Sequence, residues 1–253
     1  LKALFISEWE RLWSQRKSKW MIGIFTVIVL LQAWFLRYYG VGIYNNDQQV
    51  PLNTWNFPWF LLKESSFLLT LIFMPVFFLN SLNVEYNSGA YRLFLIRPFK
   101  RKSFLISKWF SLALMVLVHL LIILGISIAF GFIFLKPDND FTFYGQQKNA
   151  IEAILYTVQV YGLFFIIQMC CLALASLISV IISNAVISFF LLIGLYVGCL
   201  YVSSQLSFFL LSVQSIFHTL STTSNSLYVF AFVIMLVGFG ACVRIWSKKE
   251  FTS

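Results

Sequence analysis

Charge is what this sequence has least of. Only 11% of its 253 residues are Asp, Glu, Lys or Arg, against about a quarter in a soluble domain. So few charges cannot cover a water-facing surface, which excludes an ordinary soluble globular protein. Acid is scarcest: nine Asp and Glu face 18 Lys and Arg, a net charge of +9. In a soluble chain that excess would point to nucleic acid. In a chain that is 60% hydrophobic it points first to topology, because membrane proteins gather Lys and Arg in cytoplasmic loops, and no nucleic-acid partner is expected. The four cysteines (Cys170, Cys171, Cys199, Cys242) all fall inside apolar runs. Their spacing fits neither a disulfide framework nor a metal site, so they read as small packing residues. A G-x-x-x-x-G-K-[ST] phosphate loop is missing, so the chain is not expected to hydrolyse ATP itself. His119, His218 and the cysteines are not spaced as a nucleophile, base or metal set. No catalytic residue, metal ligand or bound cofactor is expected.

Long uncharged stretches are what the sequence has instead. Seventeen residues without a charge separate Lys19 from Arg37, 20 separate Glu64 from Glu85, 27 separate Lys108 from Lys136 and 91 separate Glu152 from Arg244. A helix needs about 20 residues to cross a bilayer. The first three stretches hold one crossing each and the last holds three, divided at Ser183-Asn184 and at the polar run from Ser203 to Ser226. The predicted spans are 20–38, 66–83, 109–135, 157–181, 186–203 and 227–246. The first apolar run has basic flanks and no small-residue cleavage site, so it reads as an uncleaved anchor.

Six spans place the N-terminus, residues 84–108 and the C-tail on one side. Those segments hold 14 of the 18 basic residues, leaving Arg37, Lys63, Lys136 and Lys148 for the other side. The asymmetry predicts cytoplasmic termini in a multi-pass cell-membrane protein. Residues 1–16 predict an amphipathic helix in the headgroup layer, with Phe5, Trp9, Leu12 and Trp13 on its oily face and Lys2, Glu8, Glu10 and Arg11 on the others. Residues 39–64 are expected outside, with "TWNFPWF" as an interfacial aromatic belt. Residues 136–152 read as a polar external loop with turns at Pro137 and Gly145. The segment 204–226 contains "LSFFLLSVQSIF", too short to cross, and reads as an external re-entrant or interfacial piece. Gly194 and Gly198 form a small-xxx-small pair that permits close helix contact. The expected fold is therefore a single all-α integral membrane domain over residues 1–253. It has six transmembrane helices, an interfacial N-terminal helix and a folded-back segment between helices five and six.

One insert is longer and more patterned than a connecting loop needs. "EYNSGAYRLFLIRPFKRKSFLISK", residues 85–108, holds six basic residues against Glu85. Apolar Leu93, Leu95, Ile96, Phe99 and Phe104 are interleaved among them. Pro98 lacks an N–H and biases Arg97 away from helix, so two helical pieces with a turn at Pro98 are expected. Oily and basic groups together on a cytoplasmic hairpin make a docking surface for anionic lipid or a soluble partner. Glu85, Gly89, Pro98, Arg101 and Lys108 stand at offsets 0, +4, +13, +16 and +23. That pattern resembles the signature loop of ABC-2-type permeases, the membrane halves of ATP-binding-cassette exporters. It departs from the family at Ala90, where Thr or Ser is usual, and at Asn87, where a second acid often stands.

The resemblance implies a coupling helix at about Tyr91–Pro98 that seats in a groove of a cytoplasmic ABC ATPase subunit. Tyr91, Arg92, Leu95 and Arg97 would lie on it, with Gly89 and Pro98 shaping its ends. ATP and Mg would be used by that partner alone. It also implies a second permease subunit, identical or related, with cargo moving between the two. The uncharged spans suit an amphipathic or lipophilic cargo such as a cytolytic peptide. In overall character the chain is similar to small permeases of bacterial peptide-toxin and bacteriocin export or immunity systems, including exporters of phenol-soluble modulins. The alternatives are a membrane-embedded enzyme and a non-transporting immunity or binding protein.

Overall fold

Among the described residues, six helices are long and apolar enough to cross a membrane, and they match the predicted spans in number and order. The computed structural model describes residues 2–45, 48–87, 101–135, 140–143, 146–222 and 225–248. A short helix, Lys2–Ser14 (α1), precedes the first long one, Arg16–Tyr39 (α2). α2 ends at Gly40, whose φ of 67° is the left-handed conformation that glycine adopts without steric cost. A two-stranded hairpin follows, Val41–Asn45 (β1) and Gln48–Pro51 (β2). Next come Phe57–Leu68 (α3), a π turn at Leu69–Phe73, and Met74–Asn87 (α4), which together form the second spanning helix. Arg101–Phe134 (α5) is the third. A second hairpin, Asp140–Phe143 (β3) and Gln146–Asn149 (β4), leads into Ala150–Ile181 (α6). The chain closes with Ala185–Val202 (α7), a 3₁₀ turn at Ser204–Phe209, Ser212–Thr222 (α8) and Ser226–Lys248 (α9).

The second span begins earlier than its charges indicate. Asn53 Oδ1 accepts from the N–H groups of Trp55 and Asn56, while Asn56 Oδ1 accepts from the Asn53 N–H. This reciprocal pair, followed by Pro58 in the first turn, starts a helix at Phe57. Residues 57–64 are therefore helical and not loop, and Lys63 and Glu64 lie within the spanning helix. The aromatic belt is corrected by the same observation. Phe57, Trp59 and Phe60 are almost fully buried. Trp59 Nε1 donates to Thr157 Oγ1 at 2.7 Å, and Phe57 stacks on Phe130.

The π turn has a local cause. Pro75 has no N–H, and its ring would clash with the Leu71 carbonyl in a regular helix. The backbone widens just before it, so that the Met74 N–H reaches the Leu69 carbonyl five residues back. Beside this turn, Gln168 Nε2 donates to Thr70 Oγ1 at 2.7 Å.

Contacts along the helices fix their directions. Tyr161 donates to the Pro58 carbonyl, Gln168 to Thr70 and Ser179 to Asn83, so the second and fourth spans run side by side in the same direction. Lys108 meets Ser81 and Thr54 meets Gly131, so the third span runs opposite to the second. Ser65 meets Gln32, and Phe25 meets Phe73, which makes the first span antiparallel as well. Trp109 against Phe239 brings the lower part of α9 to the start of α5. Successive spans thus alternate. One end of the bundle carries α1 and the flanks of residues 88–100. The other carries the β1–β2 hairpin, the start of α3 and α8.

The second and fourth spans are the core, each 67% buried in its most apolar window. The first, fifth and sixth are only 22%, 17% and 22% buried. Their outer faces present large apolar side chains such as Trp20, Phe35, Phe190 and Phe232. An apolar surface this extensive is stable only against lipid or another protein. α8 is a packed element rather than a seventh crossing: at 11 residues it is too short. It lays Val213, Ile216 and Phe217 inward, with Phe217 against Tyr44 and Phe60.

Candidate functional site

The patterned insert joins the end of α4 to the start of α5, and those ends are where the structure concentrates buried charge. Lys108 is 1% exposed. Its Nζ donates to the Ser81 carbonyl at 2.9 Å and stands 4.9 Å from the centre of the Phe104 ring. Glu8 and Arg11 of α1 lie within electrostatic reach of it. Glu8 is itself 3% exposed and accepts from Arg11 Nη2 at 2.6 Å. A buried ammonium is tolerated only when paired and hydrogen-bonded. This one takes a carbonyl from the second span, an aromatic face from its own helix and the field of a carboxylate from α1.

α1 is therefore oriented by more than its oily stripe. Leu4, Glu8 and Leu12 face inward, packed against α2 and α5. Trp13 is exposed and stacks on Trp9 with ring centres 5.6 Å apart. Glu8, expected off the oily face, is instead buried on the inward face with Leu4 and Leu12. The reason is tertiary, since the buried Lys108 of α5 lies within electrostatic reach of it, while Arg11 on its own helix donates to it. The exposed Trp13 still suits a membrane boundary.

A neutral polar cluster ties the neighbouring helix ends. Asn83 Nδ2 donates to Ser188 Oγ at 3.0 Å, and Ser179 Oγ donates to Asn83 Oδ1. Ser188 Oγ in turn donates to the Ile182 carbonyl. Asn184 caps α7 by accepting from the N–H groups of Val186 and Ile187, which confirms the tight turn read at Ser183-Asn184. Spans two to five are thus linked by hydrogen bonds around the ends that flank the insert.

Of the predicted docking residues, Lys108 is the one whose side chain is described, and it points into the bundle. Glu85 lies on α4 and Arg101 is the first residue of α5. Gly89, Tyr91, Arg92, Leu95, Arg97 and Pro98 lie outside the described residues. Sequence reading missed Glu8, Arg11, Ser81 and Asn83. A charge three residues before an arginine in α1 was a visible signal for the Glu8–Arg11 pair. Nothing in the sequence connects that pair to Lys108.

Elsewhere the titratable groups stay apart. Among the described residues, no three His, Cys, Asp or Glu side chains stand together in a way that suits a metal ion. His119 Nδ1 donates to the Met115 carbonyl at 2.8 Å and packs between the rings of Phe25 and Phe77, as a packing residue. All four cysteines are free thiols. Among the described residues, nothing beyond their own helix approaches a Cβ added at Gly194 or Gly198 within 4 Å, so no packing contact on the pair is seen there.

No protein-family model matches the chain, and no curated protein is similar to it. What the chain does must be argued from its own residues.

Proposed function

We propose that the chain is the permease subunit of an ATP-binding-cassette exporter. It moves an amphipathic or hydrophobic substrate outward, driven by a separate cytoplasmic ATPase. The observation that carries this reading is the basic, apolar-interleaved insert held between two long helices whose ends are locked together by a buried lysine. A force applied to the insert reaches two spans whose flanking ends are tied to each other by Lys108 and the Ser81 carbonyl. The parallel packing of the second and fourth spans passes it to the core. The free surface over Gly194 and Gly198 leaves room for close approach of a second permease helix.

Arginine suits the docking role, because its planar fork meets carboxylates and carbonyls in pairs. The test is copurification of a soluble ATPase from the native host, before and after Arg97→Glu with Arg101→Glu. Capture and substrate-stimulated hydrolysis are expected to fall together in the double variant. Unchanged capture would contradict the docking assignment, and absence of any copurifying ATPase would contradict the exporter reading.

A further inference from the structure

A cavity of about 500 Å³ opens at the hairpin end, between α2, the β1–β2 hairpin and α3. This is within the usual size range of small-molecule sites. Phe35, Leu36, Tyr39, Ile43 and Phe60 make its walls, and Gln32 and Glu64 are among its few polar groups. The geometry is fixed by contacts that no part of the proposed coupling uses. Lys63 Nζ donates to the Ile43 carbonyl and holds the hairpin against α3. Gln32 is clamped at both ends of its amide: Nε2 donates to the Glu64 carbonyl at 3.3 Å, and Oε1 accepts from Ser65 Oγ at 2.8 Å. A Cβ on Gly42 would run into the Phe60 ring, so the hairpin backbone lies directly on that ring.

Glu64 is the charged side chain of this lining. Its carboxylate takes no hydrogen bond from the described residues, and Lys63 next to it acts only through its field. An ionisable group on a spanning helix calls for a partner. Its depth narrows the choice. The spanning helix Phe57–Asn83 has 27 residues, about 40 Å at 1.5 Å per residue, so it outruns a hydrocarbon core of about 30 Å. Glu64 lies about 10 Å along it from Phe57, near the boundary between lipid tails and headgroups. A carboxylate at that depth, over an apolar chamber with exposed Phe35 and Tyr39 rings at its side, is complementary to a cation on an oily tail.

We propose that this cavity binds an amphiphile consisting of an aliphatic chain with an ammonium head, the head on Glu64 and the chain among Phe35, Leu36, Ile43 and Phe60. The site stands independently of the exporter reading, since it needs neither an ATPase nor the insert.

The test is photolabelling of the purified chain in maltoside micelles with an alkylammonium that carries a diazirine in its tail. Adducts are mapped by mass spectrometry, with dodecylammonium, dodecanol and dodecanoate as competitors. Adducts are expected to concentrate in residues 32–43 and 60–64. Dodecylammonium is expected to compete about tenfold better than dodecanol, the value of one charge-assisted contact at a partly wet site. Glu64→Gln should erase that advantage with dodecanol competition unchanged, and Glu64→Asp should keep it. Adducts spread evenly over α7 and α9, an ammonium advantage that survives Glu64→Gln, or equal competition by dodecanoate would each overturn the site. Loss of dodecanol competition in both variants would overturn the division into head and tail positions.

Discussion

The two ends of the bundle are held together by different chemistry. At the insert end, charge is buried: Lys108 and Glu8 lie within electrostatic reach of each other, Arg11 donates to Glu8, and Asn83, Ser179 and Ser188 join the neighbouring helices. At the hairpin end the joints are mainly aromatic, with one charged tie from Lys63 to the Ile43 carbonyl. Tyr44, Phe60 and Phe217 pack against one another, and Trp59 bonds to Thr157. Aromatic packing tolerates small displacements, because dispersion falls gradually as surfaces slide. A buried ion network does not, since a displaced charge loses its partners at full desolvation cost. The insert end is thus built to keep one geometry or to switch between two. The hairpin end is built to adjust.

Breaking one side of the ion network should have the largest effect. Lys108→Ala or Glu8→Ala is expected to destabilise the chain by about 3–5 kcal/mol, because the remaining charge stays buried. Lys108→Met combined with Glu8→Leu should cost much less than the sum of the single changes. Thermal unfolding in detergent, run as a double-mutant cycle, measures both. Additive losses would mean that α1 and α5 are not coupled through these charges.

A smaller loss is expected between the two ends. Gln168→Leu leaves the Thr70 hydroxyl without its donor beside the π turn, at about 1–3 kcal/mol. Adding Thr70→Val should recover part of that loss. No recovery would show that the pair acts through helix shape and not through the hydrogen bond. The smallest effect belongs to the hairpin end. Thr157→Val keeps the side-chain volume and removes the acceptor of the partly buried Trp59 bond, and about 1 kcal/mol is expected. A loss as large as that of Lys108→Ala would erase the contrast between the ends.

Hydropathy made the six spans legible because the cost of desolvating charge acts on composition, whatever the tertiary structure. The start of the second span was hidden by Lys63 and Glu64, although Asn56-Phe57-Pro58 carried a helix-start signal that outranks them. The π turn follows from Pro75 only in part. Proline announces that the helix must yield, but not which residues widen. The inward turn of Glu8 was not legible, because its reason lies in α5, far along the chain. The two hairpins escaped notice as well. Their strands are four or five residues long, and short alternating runs between helices read as loop. The insert was legible as a pattern of charges and apolar residues, and its anchoring through Lys108 emerged only from the packed helices.

The account turns on where the insert faces. With the four native cysteines replaced and Phe94→Cys introduced, a membrane-impermeant maleimide can be applied to intact cells and to opened ones. Labelling only after the membrane is opened is the result that the proposed exporter reading predicts. Labelling of Phe94→Cys in intact cells would contradict the account.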